Sequence, residues 1–546
     1  MVVPEKEFDF IVIGSGSAGS VVAARLSEDQ KHSVCVLESG PRDNNIFIHI
    51  PAGYIKTLFN SKYTWPYKSE PVPGLGGRVI GTAQGRTLGG SSSINGLIYN
   101  RGQANDYNSW AQAGNHGWGY ADVLPYFKRS ENRITQSNNN SYHGTDGEQP
   151  VTDLSWKHPL LEPFVQGAQK IGIPFNADYN GAHQEGVGYY QRIIHKGRRF
   201  SAYRSFLHPV RQRSNLCILT NTHVSKILFE DKRAVGVRYF LGGPGGSIYT
   251  VKARREVILC GGALNTPRLL QTSGVGPKSL LNEMGLKVIT DLPGVGENLR
   301  DHYAVRMVAK VRNVKTINEL SRGLQLWGQV ARWVLGLPSI LSISPSLAYV
   351  FWKSNPSLSN SDLQFTFTPA SYMEGIAGLL DTLPGMTCGF WQQRPESQGY
   401  VRMKSSDPFT DPAVQPNYLD SAIDQQVGIA GVRLGRRLLS SPTLAPFYEH
   451  EVQPGMDVQT DDEILNYLRT KGSTVFHFIG TSCMGPASNP YAVVSDQLKV
   501  HGLENLRVAD ASVMPSIPSA NTHAATMMIG EKAADMILGK PPPRIE

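Results

Sequence analysis

The stretch from Phe8 to Glu38, FDFIVIGSGSAGSVVAARLSEDQKHSVCVLE, constrains the fold more than any other. The run Phe10-Ile11-Val12-Ile13 has the length and β-branched content of a buried parallel strand. Gly14, Gly16 and Gly19 follow at GxGxxG spacing, and a helical pattern (Val21, Val22, Ala24, Arg25, Leu26) begins at once. A second apolar run, Ser33 to Leu37, ends in Glu38, about 20 residues past the last glycine. Each glycine has a separate use: a tight turn at Gly14, approach of backbone to a pyrophosphate at Gly16, and close helix–strand packing at Gly19. The helix start, with Ser17 and Ala18 in its first turn, points N–H groups and a positive dipole end at the phosphates. Glu38 sits where a carboxylate accepts from a ribose diol. Strand, helix and acid together predict dinucleotide binding, without separating NAD from FAD.

With 40% hydrophobic and 18% charged residues, the chain is a globular protein and not a disordered one. Its length is that of several domain-equivalents. No apolar run approaches the roughly 20 residues of a membrane span. The opening MVVPEKEFDF lacks a basic region followed by an apolar one, so no secretory signal is expected. Cys35, Cys217, Cys260, Cys388 and Cys483 are scattered, odd in number and mostly set in apolar runs. They read as free thiols in a reducing, cytoplasmic setting. No CxxC or HxxxH pair supports a metal site. The net charge of +8 has no basic block behind it, which argues against nucleic acid and leaves attraction to anionic substrates or a peripheral membrane contact open.

Along the chain, GRTLGGSSSINGLIYNRG (Gly85 to Gly102) holds small residues, Gly89 among them, then Ile94, Leu97, Ile98 and Tyr99. That is the texture of backbone packed on a bound ligand. Helices are predicted over Tyr120 to Ser130 and Leu160 to Ile171, and consecutive strands between Asn215 and Phe240. Glu256 to Cys260, Gly261-Gly262 and Thr266 to Thr272 repeat the strand–glycine–helix crossing of a doubly wound sheet. Leu320 to Leu337 has apolar residues at helical spacing, read first as a core helix and second as an amphipathic surface helix. Asp362 to Phe367 and Gly399 to Lys404 alternate and are expected in one antiparallel sheet walling a substrate pocket. Toward the end come His477 in Ser473 to Thr481, a strand ending in Asp510, and Asn521-Thr-His523 before a helix from Ala524 to Leu538.

The fingerprint, GRTLGGSSSING, GGALNTPRLLQTSGVG (Gly261 to Gly276) and the final HFIGTSCMG…VADASVMP…NTHAATMMIGEKAADMI resemble, in order and end to end, the glucose–methanol–choline oxidoreductase family. Within it the likeness is to the bacterial choline, aliphatic-alcohol and L-sorbose dehydrogenases. The resemblance implies FAD as the dinucleotide. It also implies a fold of two parts: an α/β, Rossmann-like doubly wound FAD-binding domain and an α+β substrate domain with an antiparallel sheet. The FAD domain is expected from residues 1–155, 200–303 and 464–546, the substrate domain from 156–199 and 304–463. By the same resemblance Gly14, Gly16, Ser17, Ala18, Gly19 and Glu38 bind the ADP half. Gly89, Asn95 and Gly96 lie against the flavin, Val224 meets the adenine, and Asp510 and Ala511 lie near the pyrophosphate. His477 matches the active-site histidine, and the second catalytic position is counted onto His523, leaving the role of Asn521 unassigned. Where some members tether FAD through a histidine, this chain has Ile94, so non-covalent FAD is expected.

Alcohol oxidation needs a base for the hydroxyl proton and a donor for developing alkoxide charge, while the flavin takes the hydride. His477 suits the first task and His523 the second. The expected substrate is a primary alcohol, polyol or sugar, with a quinone or dye-like acceptor or, alternatively, oxygen. Non-oxidative uses of the same site are a hydroxynitrile lyase or a fatty-acid decarboxylase; the latter needs a basic residue, with Arg394 and Arg402 as candidates by region.

Overall fold

The protein was described from a computed structural model, which covers residues 7–135, 141–373 and 380–543. Two hydrophobic cores form around two sheets. The first sheet has the strand order Leu216–Leu219, Val34–Leu37, Glu7–Ile13, Ser247–Leu259, Arg233–Leu241, Thr222–Glu230, with Leu506–Val508 also on Ser247–Leu259. Its centre is parallel. Helices Ser17–Leu26, Gly262–Thr272 and His523–Leu538 pack around it, so Phe10 to Ile13 and Val34 to Leu37 are buried throughout. Burial on both faces is why these strands are continuous apolar runs and not alternating ones.

The last helix returns onto the first. Gly530 permits the contact, since a Cβ there would lie 2.8 Å from the Ala18 carbonyl oxygen. Beside it Arg25 donates from Nε and Nη2 to the buried Glu531 carboxylate at 2.9 and 2.8 Å, and Arg129 joins from the other side. Several charged hydrogen bonds on one carboxylate offset its desolvation, which a single contact would not.

The second sheet runs Tyr448–Gln453, Tyr303–Val311, Gly385–Gln392, Leu363–Thr368, Ala348–Trp352, Gly186–Tyr189, antiparallel at each pairing. Period-two alternation separates its faces. Val305, Met307, Phe365, Phe367, Cys388 and Phe390 form the second core, which also takes Val72, Leu75 and Ile80 from far upstream. Arg306, Thr366, Thr368, Thr387, Gly389 and Trp391 face the other way, into a cavity between the two sheets.

Three sequence expectations are corrected. Leu363–Thr368 lies in this sheet as expected, but Tyr400–Arg402 does not; it pairs with Ala413–Gln415 in a separate ribbon. Gly399 and Val401 are stitched to Leu299 and Gly296 by backbone hydrogen bonds, and Gln271 bonds Val401 and Met403. These partners anchor the ribbon beside the nucleotide-side helix Gly262–Thr272. Alternation specifies a half-buried strand but not its neighbour. The helix predicted within Leu320 to Leu337 forms over Gly323–Val334, yet none of its residues is buried, so the core reading is wrong and the surface reading holds. Ser473–Thr474, assigned to the nucleotide side, pairs with the substrate-side strand Tyr303–Val311.

Candidate active site

A cavity of about 390 Å³ runs between the sheets from Glu38 and Val224 at one end to the Thr366–Trp391 wall at the other. Its first half is the glycine loop. Gly14 has φ +96°, and a Cβ there would strike the Cys260 carbonyl oxygen at 2.5 Å. A Cβ on Gly19 would lie 2.0 Å from the Gly14 carbonyl oxygen, so helix and turn fit only without one. At Gly16 a Cβ meets nothing within 4 Å and would project into the open cradle. The glycines thus divide as the sequence predicts, two for packing and one for ligand approach. Ser17 and Ala18 line the same space. Gly89 lies behind it, donating its N–H to the Ser15 carbonyl, while Gly90 presses on Gly16.

At the far end Glu38 accepts from Ser15 N and Oγ (3.0 and 2.7 Å) and from Gly40 N (2.8 Å). Burial pushes its carboxyl up against these hydrogen bonds. A carboxylate has about four acceptor sites, so one remains for a ribose hydroxyl. Asp510 is used differently: it accepts from Gly262 N, Thr266 Oγ1 and Ser512 N, locking the second glycine turn to the last strand while lining the cavity with Ala511. Val224, Asn95, Gly96 and Ile94 line it as well. Open cradle, helix start and buried acid fit a dinucleotide.

His477 stands on the opposite wall. Its backbone N–H donates to Asp301 Oδ1 at 2.6 Å, and Asp301 Oδ2 accepts from Thr474 and Tyr418. Burial raises Asp301 to about 6. The preceding Phe476 has φ +64°, a left-handed conformation for a bulky residue that marks a positioned turn.

The ring's proton positions follow from its partners. His302 Nε2 is 2.7 Å from the Gln393 carbonyl oxygen, which only accepts, so Nε2 carries the proton. Burial holds His302 down to about 4, so the ring is neutral and its Nδ1 is bare. The 2.9 Å contact between the two Nδ1 atoms therefore takes its proton from His477. Burial and then His302 push His477 well below its ordinary value, so it too is neutral and its Nε2 is a bare acceptor. Asn521 Nδ2 donates to that nitrogen at 3.1 Å. The amide is turned this way by Gln364 Nε2, 3.4 Å from Asn521 Oδ1. The His477 lone pair thus holds an Asn521 N–H, beside Trp391, whose ring lies 5.9 Å from that of His477.

The structure does not bring His523 to His477. Its Nδ1 is 2.8 Å from Ser17 Oγ, at the glycine loop, and its Nε2 has no protein partner. Burial, then Arg199, holds it at about 4. Asn521, which the sequence left unassigned, stands beside His477. Asn521 precedes the Thr522 cap, whereas His523 opens the helix, so the two side chains leave different backbone conformations. Sequence reasoning also missed Arg199, which is buried, donates to Ile48 O, Ser92 O and Asn95 Oδ1, and has Nη2 unpaired. Burial brings it down to about 9. Arg394 and Arg402 are spent on Gln103, Ser519, Ser361 and Glu297 and do not line the cavity, which removes them as holders of a carboxylate.

Family models for GMC oxidoreductase match residues 8–304 and 395–530. The chain belongs to the GMC oxidoreductase family. Relatives include "Alcohol dehydrogenase [acceptor]" of Pseudomonas putida, 40% identical over 539 residues, 98% of this chain and 96% of that one. Mitochondrial choline dehydrogenase of Mus musculus is 40% identical across 99% and 91% of the two chains. Among solved structures, formate oxidase of Aspergillus oryzae RIB40 superposes with a TM-score of 0.91 at 26% identity over 98% and 99% of the chains. Pyridoxine 4-oxidase from Mesorbium loti gives 0.87 at 28%, covering 96% and 98%. As a GMC oxidoreductase the protein is an FAD enzyme, and the cavity has the parts such a cofactor needs.

Proposed function

We propose that this GMC oxidoreductase oxidises a neutral alcohol to the carbonyl compound, with His477 as general base and Asn521 as hydrogen-bond donor to the substrate oxygen. The observation that carries the reading is the bare Nε2 of His477, fixed through His302 and paired with an amide N–H at the cavity wall. FAD held along the cavity would supply the acceptor for the hydride of the alcohol carbon. His477 Nε2, exchanging its Asn521 hydrogen bond for the substrate hydroxyl, takes the hydroxyl proton, and the Asn521 N–H so released stabilises negative charge growing on the oxygen. Gly14 to Gly19, Glu38, Asn95, Gly96, Val224, Asp510 and Ala511 hold the dinucleotide in this reading, His523 supports it through Ser17, and the second sheet supplies the substrate wall. Electrons leave to a quinone or dye-like acceptor, a reading supported by the printed name of the Pseudomonas putida relative.

On the substrate wall Arg306 is the charged side chain among the described residues that line the cavity, and no carboxylate accompanies it there. A quaternary ammonium meets repulsion and no counter-charge, which favours uncharged alcohols over choline. Anaerobic mixing with aliphatic alcohols, a polyol and choline tests this directly. Bleaching of the flavin by uncharged alcohols is expected. Fastest bleaching by choline overturns the substrate assignment, and no bleaching by any of them overturns the reaction.

A further inference from the structure

The Gly323–Val334 helix carries a second apolar stripe on its solvent side. Leu324, Trp327, Ala331 and Val334 follow one another at helical spacing and point to solvent, Leu324 being 89% and Trp327 71% exposed. Its half-buried side carries Leu326, Gln329, Val330 and Trp333, with Gln329 accepting from Ser339 and Ile340 and Trp333 donating to the Gly197 carbonyl. Leu335 and Leu337 extend the exposed stripe past the helix end. At about 1.5 Å per residue a helix of this length is too short for the roughly 30 Å of a bilayer core, and among the described residues no helix is long and apolar enough to cross a membrane.

Charge and position say what covers the stripe. Between Lys315 and Leu337 the bases Lys315, Arg322 and Arg332 face the single acid Glu319, which caps its own helix start through Thr316. Exposed Lys196 and Arg198 join them from the adjacent hairpin, Arg198 lying 5.5 Å over the Trp333 ring. The Ile340–Ser342 turn leads directly to Pro345 and Ser346 in the cavity wall. It also packs on the Pro51–Gly53 turn, whose flanks expose Ile46 and Phe47 on one side and send Tyr54 and Leu58 into the cavity on the other. An apolar stripe with interfacial tryptophan and a rim of Lys and Arg has the make-up of a helix lying in a headgroup layer.

We infer that this face docks on an anionic lipid bilayer, with the Gly323–Val334 helix lying in the interface and the cavity beside it. An apolar alcohol or a lipid-soluble acceptor then reaches the cavity from the bilayer. The inference stands on exposure and charge alone, so its test reads binding and is independent of whether alcohols reduce the flavin.

The flavin-loaded full chain is sedimented with vesicles of phosphatidylcholine alone or mixed with phosphatidylglycerol. Pelleting with the anionic vesicles, weakened by salt, is expected. Leu324→Glu with Trp327→Glu should cut partitioning at least about tenfold, while flavin content and turnover of a water-soluble alcohol stay unchanged. Should that variant misfold, brominated lipid is added to wild type and to Trp327→Phe; the lipid-quenched part of the emission should be present in the first and absent in the second. Three results overturn the inference: no pelleting of wild type with anionic vesicles, equal quenching in Trp327→Phe, or a dimer dissociated by the Glu variant without any vesicle binding. The last would assign the face to a second copy of the chain.

Discussion

At the scale of single residues, counting within the family motif put the second catalytic position on His523, and the geometry puts Asn521 beside His477 instead. Histidine was legible as a reactive type, but which of the two residues faces His477 depends on the turn ahead of the helix, where Asn521 lies. Asn521→Ala should slow flavin reduction by about 10²–10³, the usual loss for one preorganised donor, with FAD retained. His523→Ala should lose more in FAD affinity than in reduction rate, since its partner is Ser17 at the glycine loop. Equal FAD affinity in the two variants with a slower His523→Ala would reinstate His523. His302 is a positioning residue that acts through His477. Because burial and His302 both press His477 below its ordinary value, the rising limb of reduction rate with pH should lie below about 6.5 in wild type. His302→Phe removes the acceptor for the His477 Nδ1 proton and part of that pressure. The rate should fall and the limb should move, whereas a purely structural role would lower the rate without moving the limb.

At the scale of elements, the strand–glycine–helix unit was legible because three constraints coincide in one short stretch, and Gly14 and Gly19 each meet their own neighbour while Gly16 meets open space. That division is testable. Gly16→Val should fill the cradle and abolish FAD binding in a folded protein, because its Cβ meets no protein atom. Gly19→Val should destabilise the fold itself, by about 1–3 kcal/mol or more, because its Cβ overlaps the Gly14 carbonyl. Urea unfolding and flavin content of each variant separate the two effects; loss of stability in Gly16→Val equal to that in Gly19→Val would contradict the assignment. The GRTLGG segment ends in Ile94, which has no nucleophile, so acid precipitation should release yellow FAD into the supernatant. Colour held in the pellet would show a tether elsewhere. The Tyr400–Arg402 ribbon and the Gly323–Val334 helix were misread for a shared reason. Periodicity shows that one face is apolar or half-buried but carries nothing about what lies opposite.

For the whole molecule, the two cores share a cavity lined with histidines held neutral. Burial keeps His223 at about 3 and His302 and His523 at about 4. The unfolded chain, with ordinary values near 6.5, binds more protons below that pH, so these rings contribute stability in full above about 6.5 and lose it as pH falls toward 4. The slope is about 1.4 kcal/mol per pH unit for each ring. Asp301, raised to about 6, works in the opposite sense between its ordinary 3.8 and 6 and offsets part of one ring's contribution. Urea midpoints of the holoenzyme should drop between pH 7 and 5, and His223→Gln, remote from His477, should flatten the dependence. The reaction itself is decided by one comparison: anaerobic stopped-flow reduction of the bound flavin by a saturating uncharged alcohol, in wild type and in His477→Ala of equal flavin content. The expected result is reduction slower by about 10² to 10⁴ in His477→Ala, the range for losing a positioned base. Reduction at the wild-type rate would contradict the assignment of His477 as the base.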